Sequence, residues 1–328
     1  MRVVDLGEQA LLRHLQGFCP PQIVGDDAAV LSMPEGQHLV VTTDALVDGV
    51  HFALGIASEL VTMDAVDVGW RAMAANLSDL AAMGAAVRGV TVGLGLPGNL
   101  DVAIVDGLYR GMTACLEPHG GVILGGDVHR APVVSLCITA LGYVDPTQAI
   151  RRSAACVGDA IVATGSHGRA RVGLELLLNP KLRAAVEEAE AQPYIQAHRR
   201  PIPRLDAVPL LRELRVTAGM DSSDGLADAV LQLCRSSGVG AQLRAAAISR
   251  PKPSWLSEQQ SLDWALYGGE DFELVVCLPA DKVAQLLQQL TGAVVIGTVT
   301  ADIGVNLLDE SGQFCQELSL EQGFQHFC

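Results

Sequence analysis

Residues 60–96 read LVTMDAVDVGWRAMAANLSDLAAMGAAVRGVTVGLGL, and a change of period inside them sets the fold class. Over residues 60–83 the apolar Trp70, Met73, Leu77 and Leu80 recur at three- and four-residue spacing, with Asp67 and Arg71 one turn apart as an i,i+4 ion pair. That spacing predicts a helix. Beyond Gly84, residues 87–96 become short, β-branched and glycine-spaced, which predicts a strand. A helix feeding directly into a strand is the repeating unit of an α/β protein.

Working outward, HLVVTT at 38–43 is a strand, 100–116 a helix ending before Pro118, and 122–124 and 133–144 two further strands. The composition then shifts over 145–158, DPTQAIRRSAACVG, and the domain boundary is placed there, giving domains 1–145 and 146–328. The second half repeats the alternation. Strands are expected at 160–163, 216–220, 272–278 and 294–299, and helices at 169–178, 205–214 (Pro209 near its first turn), 226–235 and 282–290. Two stretches rich in Pro and Arg, 192–204 and 249–254, are expected as loops. The expected fold class is α/β (α+β) in two domains, consistent with 328 residues at roughly 150 per domain.

Composition narrows the function. Apolar residues make up 49% and mean hydropathy is +0.31, so the chain can bury a large core and is not disordered. Aromatics are only 4%, leaving the packing to Ala, Val and Leu. Lys and Arg total 22 against 37 Asp and Glu, a net charge of −15, which disfavours nucleic acid and anionic lipid as partners. The eight cysteines include no C-x-x-C pair, so neither a zinc site nor a disulfide framework is indicated. With no signal-peptide pattern at its start and no apolar run long enough to span a bilayer, the chain is expected to be cytoplasmic.

The acids fall in a pattern. Asp26-Asp27 follows Gly25, Asp44 follows Thr42-Thr43, and Asp127 follows Gly125-Gly126. Asp221-Ser222-Ser223-Asp224 and Gly268-Gly269-Glu270-Asp271 complete five clusters at turns or ends of apolar runs, and Asp79 adds a sixth site on a helix. Strand ends are where α/β sheets present ligand-binding groups, and glycine beside an acid lets backbone approach phosphate. Each motif alone is also ordinary turn chemistry, and Asp224 suits a helix cap. Six together point to hard-oxygen coordination of Mg²⁺ beside a phosphorylated ligand. Gly93-Leu94-Gly95-Leu96-Pro97-Gly98 matches G-x-G-x-x-G, but Pro97 stiffens the turn that must wrap a pyrophosphate, so a plain strand-to-helix turn is preferred. P-loop, nucleophile-elbow and protein-kinase signatures are all missing from the sequence.

VGDDAAVL, TTDALVDGVHF, NLSDLAAMGA, GGD, MDSSDGL, YGGEDFEL and the closing QGFQHF stand in the order found in the thiamine-monophosphate kinase family, which they resemble from about Gly25 to Phe327. GDD and GGD alone are shared by the wider aminoimidazole-ribonucleotide-synthetase-like superfamily. The resemblance implies an N-terminal α/β domain whose sheet pairs across a homodimer and a C-terminal α/β domain that completes the active site. It implies transfer of the ATP γ-phosphoryl group to thiamine monophosphate, giving thiamine diphosphate and ADP, with several Mg²⁺ ions. Carried over residue by residue, Asp27, Thr42, Thr43, Asp44, Asp79, Asp127, Asp221 and Asp224 resemble the metal positions. Tyr109, Gly126, Asp127, Arg152 and Ser223 resemble the ATP contacts, and His51, Glu270 and Phe324 those that hold the thiamine moiety. Asp44, Asp127, Arg152 and Asp224 are expected to carry catalysis. The chain departs from the family at Arg169, Arg171, Val128 and Ser222, the last standing where an apolar residue is usual.

The acceptor is a phosphate monoester with a second pKa near 6, so it is already an anionic nucleophile at neutral pH. Direct transfer without a phosphoenzyme or a general base is therefore expected, with Arg152 stabilising charge on the moving phosphoryl group. Two other readings stay open: another ATP-dependent enzyme of the superfamily, resembling aminoimidazole ribonucleotide synthetase, and a non-catalytic thiamine-phosphate or nucleotide sensor. Cys328 resembles the terminal cysteine of a hydrogenase-maturation protein, but the Phe324-Gln325-His326-Phe327 context does not, so that cysteine is read as incidental.

Overall fold

The computed structural model describes residues 1–21, 23, 28, 29 and 31–323. Two units divide the chain: 1–80 with 85–145, and 81–84 with 146–328.

The first unit opens with α1 (Val3–Leu6) and α2 (Glu8–Leu15), followed by β1 (His38–Val47), α3 (Ala65–Ala82), β2 (Ala86–Leu96), α4 (Val102–Leu116), β3 (Ile123–Arg130) and β4 (Ser135–Val144). Its sheet has the order β1-β4-β2-β3, antiparallel except for the β2/β3 pair. The helix expected over 60–83 starts later, because Asp64 takes the N–H of Asp67 at 2.8 Å and so closes the first turn. Met73, Leu77 and Leu80 are fully buried, as are Asp67 and Arg71. Where α3 crosses α4 the contact is made by glycines. A Cβ on Gly69 would lie 1.9 Å from the Leu108 carbonyl oxygen, and one on Gly111 2.0 Å from that of Val66.

Period two governs the sheet. On β1, Val40, Thr42, Asp44 and Leu46 turn toward the covered face, while Leu39, Val41, Thr43 and Ala45 are exposed. Register places Val41 opposite Leu141 and Ala45 opposite the exposed Cys137. Leu39 and Val41 remain 52% and 55% exposed, so one sheet face presents an apolar patch to its surroundings.

The second unit runs β5 (Ala160–Ala163), α5 (Arg169–Leu178), α6 (Pro180–Ala185), α7 (Glu188–Arg199), α8 (Val208–Glu213), β6 (Ala218–Asp221), α9 (Leu226–Ser237), β7 (Gly240–Arg244), α10 (Glu258–Tyr267), β8 (Leu274–Leu278), α11 (Ala280–Gln289), β9 (Val294–Thr300), β10 (Val305–Leu308) and β11 (Phe314–Glu317). Its seven strands order as β11-β10-β7-β9-β5-β8-β6. Successive residues of β5 feed opposite cores: Ile161 and Ala163 join Leu226, Val230 and Leu266, whereas Val162 joins Val208, Leu211 and Leu286.

Two expectations are corrected. Most of the expected loop 192–204 is helix: Ala191, Ile195 and His198 bury one face of α7, and that burial outweighs Pro193 inside it. The strand expected from Phe272 begins at Leu274, because Phe272 has φ +52°, outside the extended region. No helix among the described residues is long and apolar enough to cross a membrane.

Candidate active site

In the first unit the acidic groups ride on regular elements. Thr42 and Asp44 lie two residues apart on the covered face of β1, beneath Asn76 and Asp79, which lie three residues apart on α3. The Thr42 hydroxyl donates to the Asp79 carboxylate. Buried Asn76 donates its amide to the Ala72 carbonyl at 3.0 Å, which turns its oxygen toward the Asp44 N–H, also 3.0 Å away. Asn76 thus ties the strand to the helix, a role that the NLSD motif did not reveal. Thr43 lies on the other face, where its hydroxyl meets that of Thr139 at 2.9 Å.

Asp127 sits on β3 opposite Gly93, with an 83% exposed side chain 3.9 Å from His129. Beside it, a Cβ on Gly126 would lie 1.9 Å from the Val92 carbonyl, so no side chain fits there. His51 sits in the turn after β1 and accepts the Val47 N–H on Nδ1 at 3.1 Å. Tyr109 is 4% exposed and packs on Phe18 with ring centroids 5.1 Å apart; burial pushes its hydroxyl pKa well up. Asp26, Asp27, Phe324 and Cys328 lie outside the described residues.

In the second unit the groups stand on two loops. Asp221 ends β6, buried, and the turn that follows carries half-buried Ser223 and exposed Asp224 into α9. Arg152 is exposed and donates to Gln232 at 2.6 Å. The second loop, residues 268–273, is bonded to the first. Glu270 donates its N–H to the Ser223 carbonyl at 2.6 Å, and Ser222 donates both its N–H (2.9 Å) and its hydroxyl (3.0 Å) to the Glu273 carbonyl. Ser222 is 1% exposed and has a further polar neighbour in His167 Nε2 at 2.9 Å. The Glu273 carboxylate takes the Thr164 hydroxyl and the Arg204 guanidinium, each at 2.5 Å.

The donors singled out for a metal are carboxylates and hydroxyls, the hard oxygens that Mg²⁺ takes. Among the described residues no three His, Cys, Asp or Glu side chains form a ready cage. Mg²⁺ is usually held by one or two carboxylates together with substrate phosphates and water. The donor set fits the ion.

Residues 25–144 match the family model described as AIR synthase related protein, N-terminal domain, and residues 157–309 match its C-terminal domain. The thiamine-monophosphate kinase of Synechococcus elongatus is 48% identical over 333 residues, covering 98% of this chain and 97% of its own. The structure of AaThiL complexed with AMPPCP and TMP matches at a TM-score of 0.75 and 27% identity, covering 100% of this chain and 99% of that one. E. coli HypE, a hydrogenase maturation protein, reaches a TM-score of 0.79 at 20% identity, covering 95% and 97%, a likeness of fold alone.

Proposed function

The chain belongs to the AIR synthase related family and, within it, to the thiamine-monophosphate kinases, and on that premise we propose how its residues divide the work. It transfers the γ-phosphoryl group of ATP to thiamine monophosphate, giving thiamine diphosphate and ADP. The observation that carries this is 48% identity along nearly the whole chain. Fold likeness cannot carry it, since HypE matches the fold equally well at 20% identity.

Asp27, Thr42, Asp44, Asp79, Asp127, Asp221 and Asp224 would hold Mg²⁺ by side-chain oxygens, and Thr43, whose hydroxyl engages Thr139, by its main chain. When bound, the ion would offset the repulsion between two polyanions and polarise the γ-phosphoryl group. Gly126 lets backbone come close to the nucleotide, Ser223 and Tyr109 contact it, and Arg152 stabilises charge that shifts during transfer. His51, Glu270 and Phe324 hold the thiamine moiety, the Glu270 carboxylate suiting its cationic thiazolium. The monoester oxygen attacks directly, so the chain supplies orientation and charge rather than a base.

The chain acts as a homodimer. Its interface is the open face of the first sheet, where Leu39, Val41 and Cys137 are exposed.

A phosphorus NMR time course with protein, ATP, Mg²⁺ and thiamine monophosphate tests the reading. Thiamine diphosphate resonances should grow in step with ADP and stop on adding EDTA. Untouched ATP would overturn it and favour a superfamily substrate such as formylglycinamidine ribonucleotide.

A further inference from the structure

The loop 268–273 is held in a conformation its own residues resist. Glu270 and Phe272 have φ of +65° and +52°, two of only three non-glycine residues with positive φ among those described. Such backbone is costly for a residue with a side chain and persists only where the surroundings over-determine it. Between the two lies Asp271. Its carboxylate oxygens accept the N–H groups of Gly168 (2.5 Å) and Ala170 (2.8 Å), which open α5. The helix has no cap of its own, because Gly168 stands at its N-cap without a side chain. Asp271 supplies the missing cap across |i−j| of 103 and 101 residues.

With Asp271 bonded to the start of α5 and a left-handed residue on each side of it, the Glu270 side chain is left 36% exposed. There its carboxylate lies 3.7 Å from Nδ1 of His198, a residue on α7 whose own side chain is 3% exposed.

We propose that Asp271 and His198 are positioning residues for Glu270, Asp271 fixing its backbone through the start of α5 and His198 fixing its carboxylate from α7, so that together they set affinity for the thiamine moiety. This rests on the reading that Glu270 holds that moiety. Neither residue is assigned to contact substrate or nucleotide, and both act through Glu270.

Steady-state kinetics on Glu270→Gln, Asp271→Asn, His198→Asn and the doubles with Glu270→Gln test the proposal, with circular dichroism to confirm folding. Glu270→Gln should raise KM for thiamine monophosphate about tenfold or more, the scale of one charged hydrogen bond, and leave KM for ATP unchanged. Asp271→Asn and His198→Asn should each raise the same KM about fivefold or more, the scale of lost orientation. Each double should be no worse than Glu270→Gln alone, because a residue acting through Glu270 has nothing further to lose. If Asp271→Asn does not fold, His198→Asn carries the test, since it leaves the cap of α5 intact. KM unchanged in Asp271→Asn and His198→Asn while Glu270→Gln raises it would overturn the positioning alone. Additive doubles, or equal damage to both substrates, would overturn it as well. An unchanged KM in Glu270→Gln would remove the underlying reading and the proposal with it.

Discussion

Thr42, Asp44 and Asp79 of the first unit ride on a strand and a helix whose periods place them, with the Thr42–Asp79 bond and the Asn76 bridge between the two elements. Ser223, Asp224 and Glu270 of the second unit stand on irregular loops, held by a buried network of Ser222, Asp271, Glu273, Thr164 and Arg204. Both arrangements present acids, but regular structure fixes a side chain cheaply, whereas a loop must be over-determined by polar groups taken out of water. The second unit should therefore respond to pH through its buried network, and the first to steric change in its helix packing.

The largest effect expected in this contrast is the pH response. Burial lowers the His167 pKa to about 4, so the stability His167 contributes is present above its ordinary 6.5 and lost as pH falls through 4. Burial raises the Asp271 carboxyl to about 7, against the pull of its two N–H donors, so its contribution is present below 3.8 and lost as pH rises through 7. Each term is on the order of 3–4 kcal/mol and they oppose each other between pH 4 and 7. Relative to the parent chain, His167→Gln should lose stability as pH rises across that window, and Asp271→Asn should gain it. Urea melts at pH 4, 5.5 and 7 check the signs; parallel curves for all three proteins would break the comparison.

Next comes Gly111→Ala in the first unit. Alanine favours a helix by about 1 kcal/mol over glycine, yet its Cβ would sit 2.0 Å from the Val66 carbonyl. Forcing α3 off α4 should cost about 3 kcal/mol and win, leaving a net loss of about 2 kcal/mol in a thermal or urea melt. A stabilised variant would show that this crossing has slack. The smallest effect is at the open sheet face, where Val41→Asp should weaken dimerisation at least tenfold, about 1.4 kcal/mol, by sedimentation equilibrium. A parent protein that sediments only as monomer would refute the dimer.

The same contrast explains what the sequence made legible. The α3–β2 succession, β5 and α5 were legible because each is carried by a short local run of residue type and spacing. Helix α7 was hidden by Pro193 and its arginines, although Ala191, Ile195 and His198 fall at i, i+4 and i+7. In the candidate site, residues inside short motifs stood out by type and spacing. The part played by Asp271 did not, since its partners Gly168 and Ala170 are over a hundred residues away and bond through main chain, which leaves no mark on residue type. His198 and Glu270 meet through tertiary packing of α7 for the same reason.

The proposed function has Asp44 and Asp224 each serve phosphoryl transfer. It is tested most directly by turnover of ATP and thiamine monophosphate in Asp44→Asn and Asp224→Asn, each checked by circular dichroism. Loss of a metal or charge-stabilising oxygen should cost about 100-fold or more in kcat, in both variants and with the fold intact. Wild-type turnover in either folded variant would contradict the account.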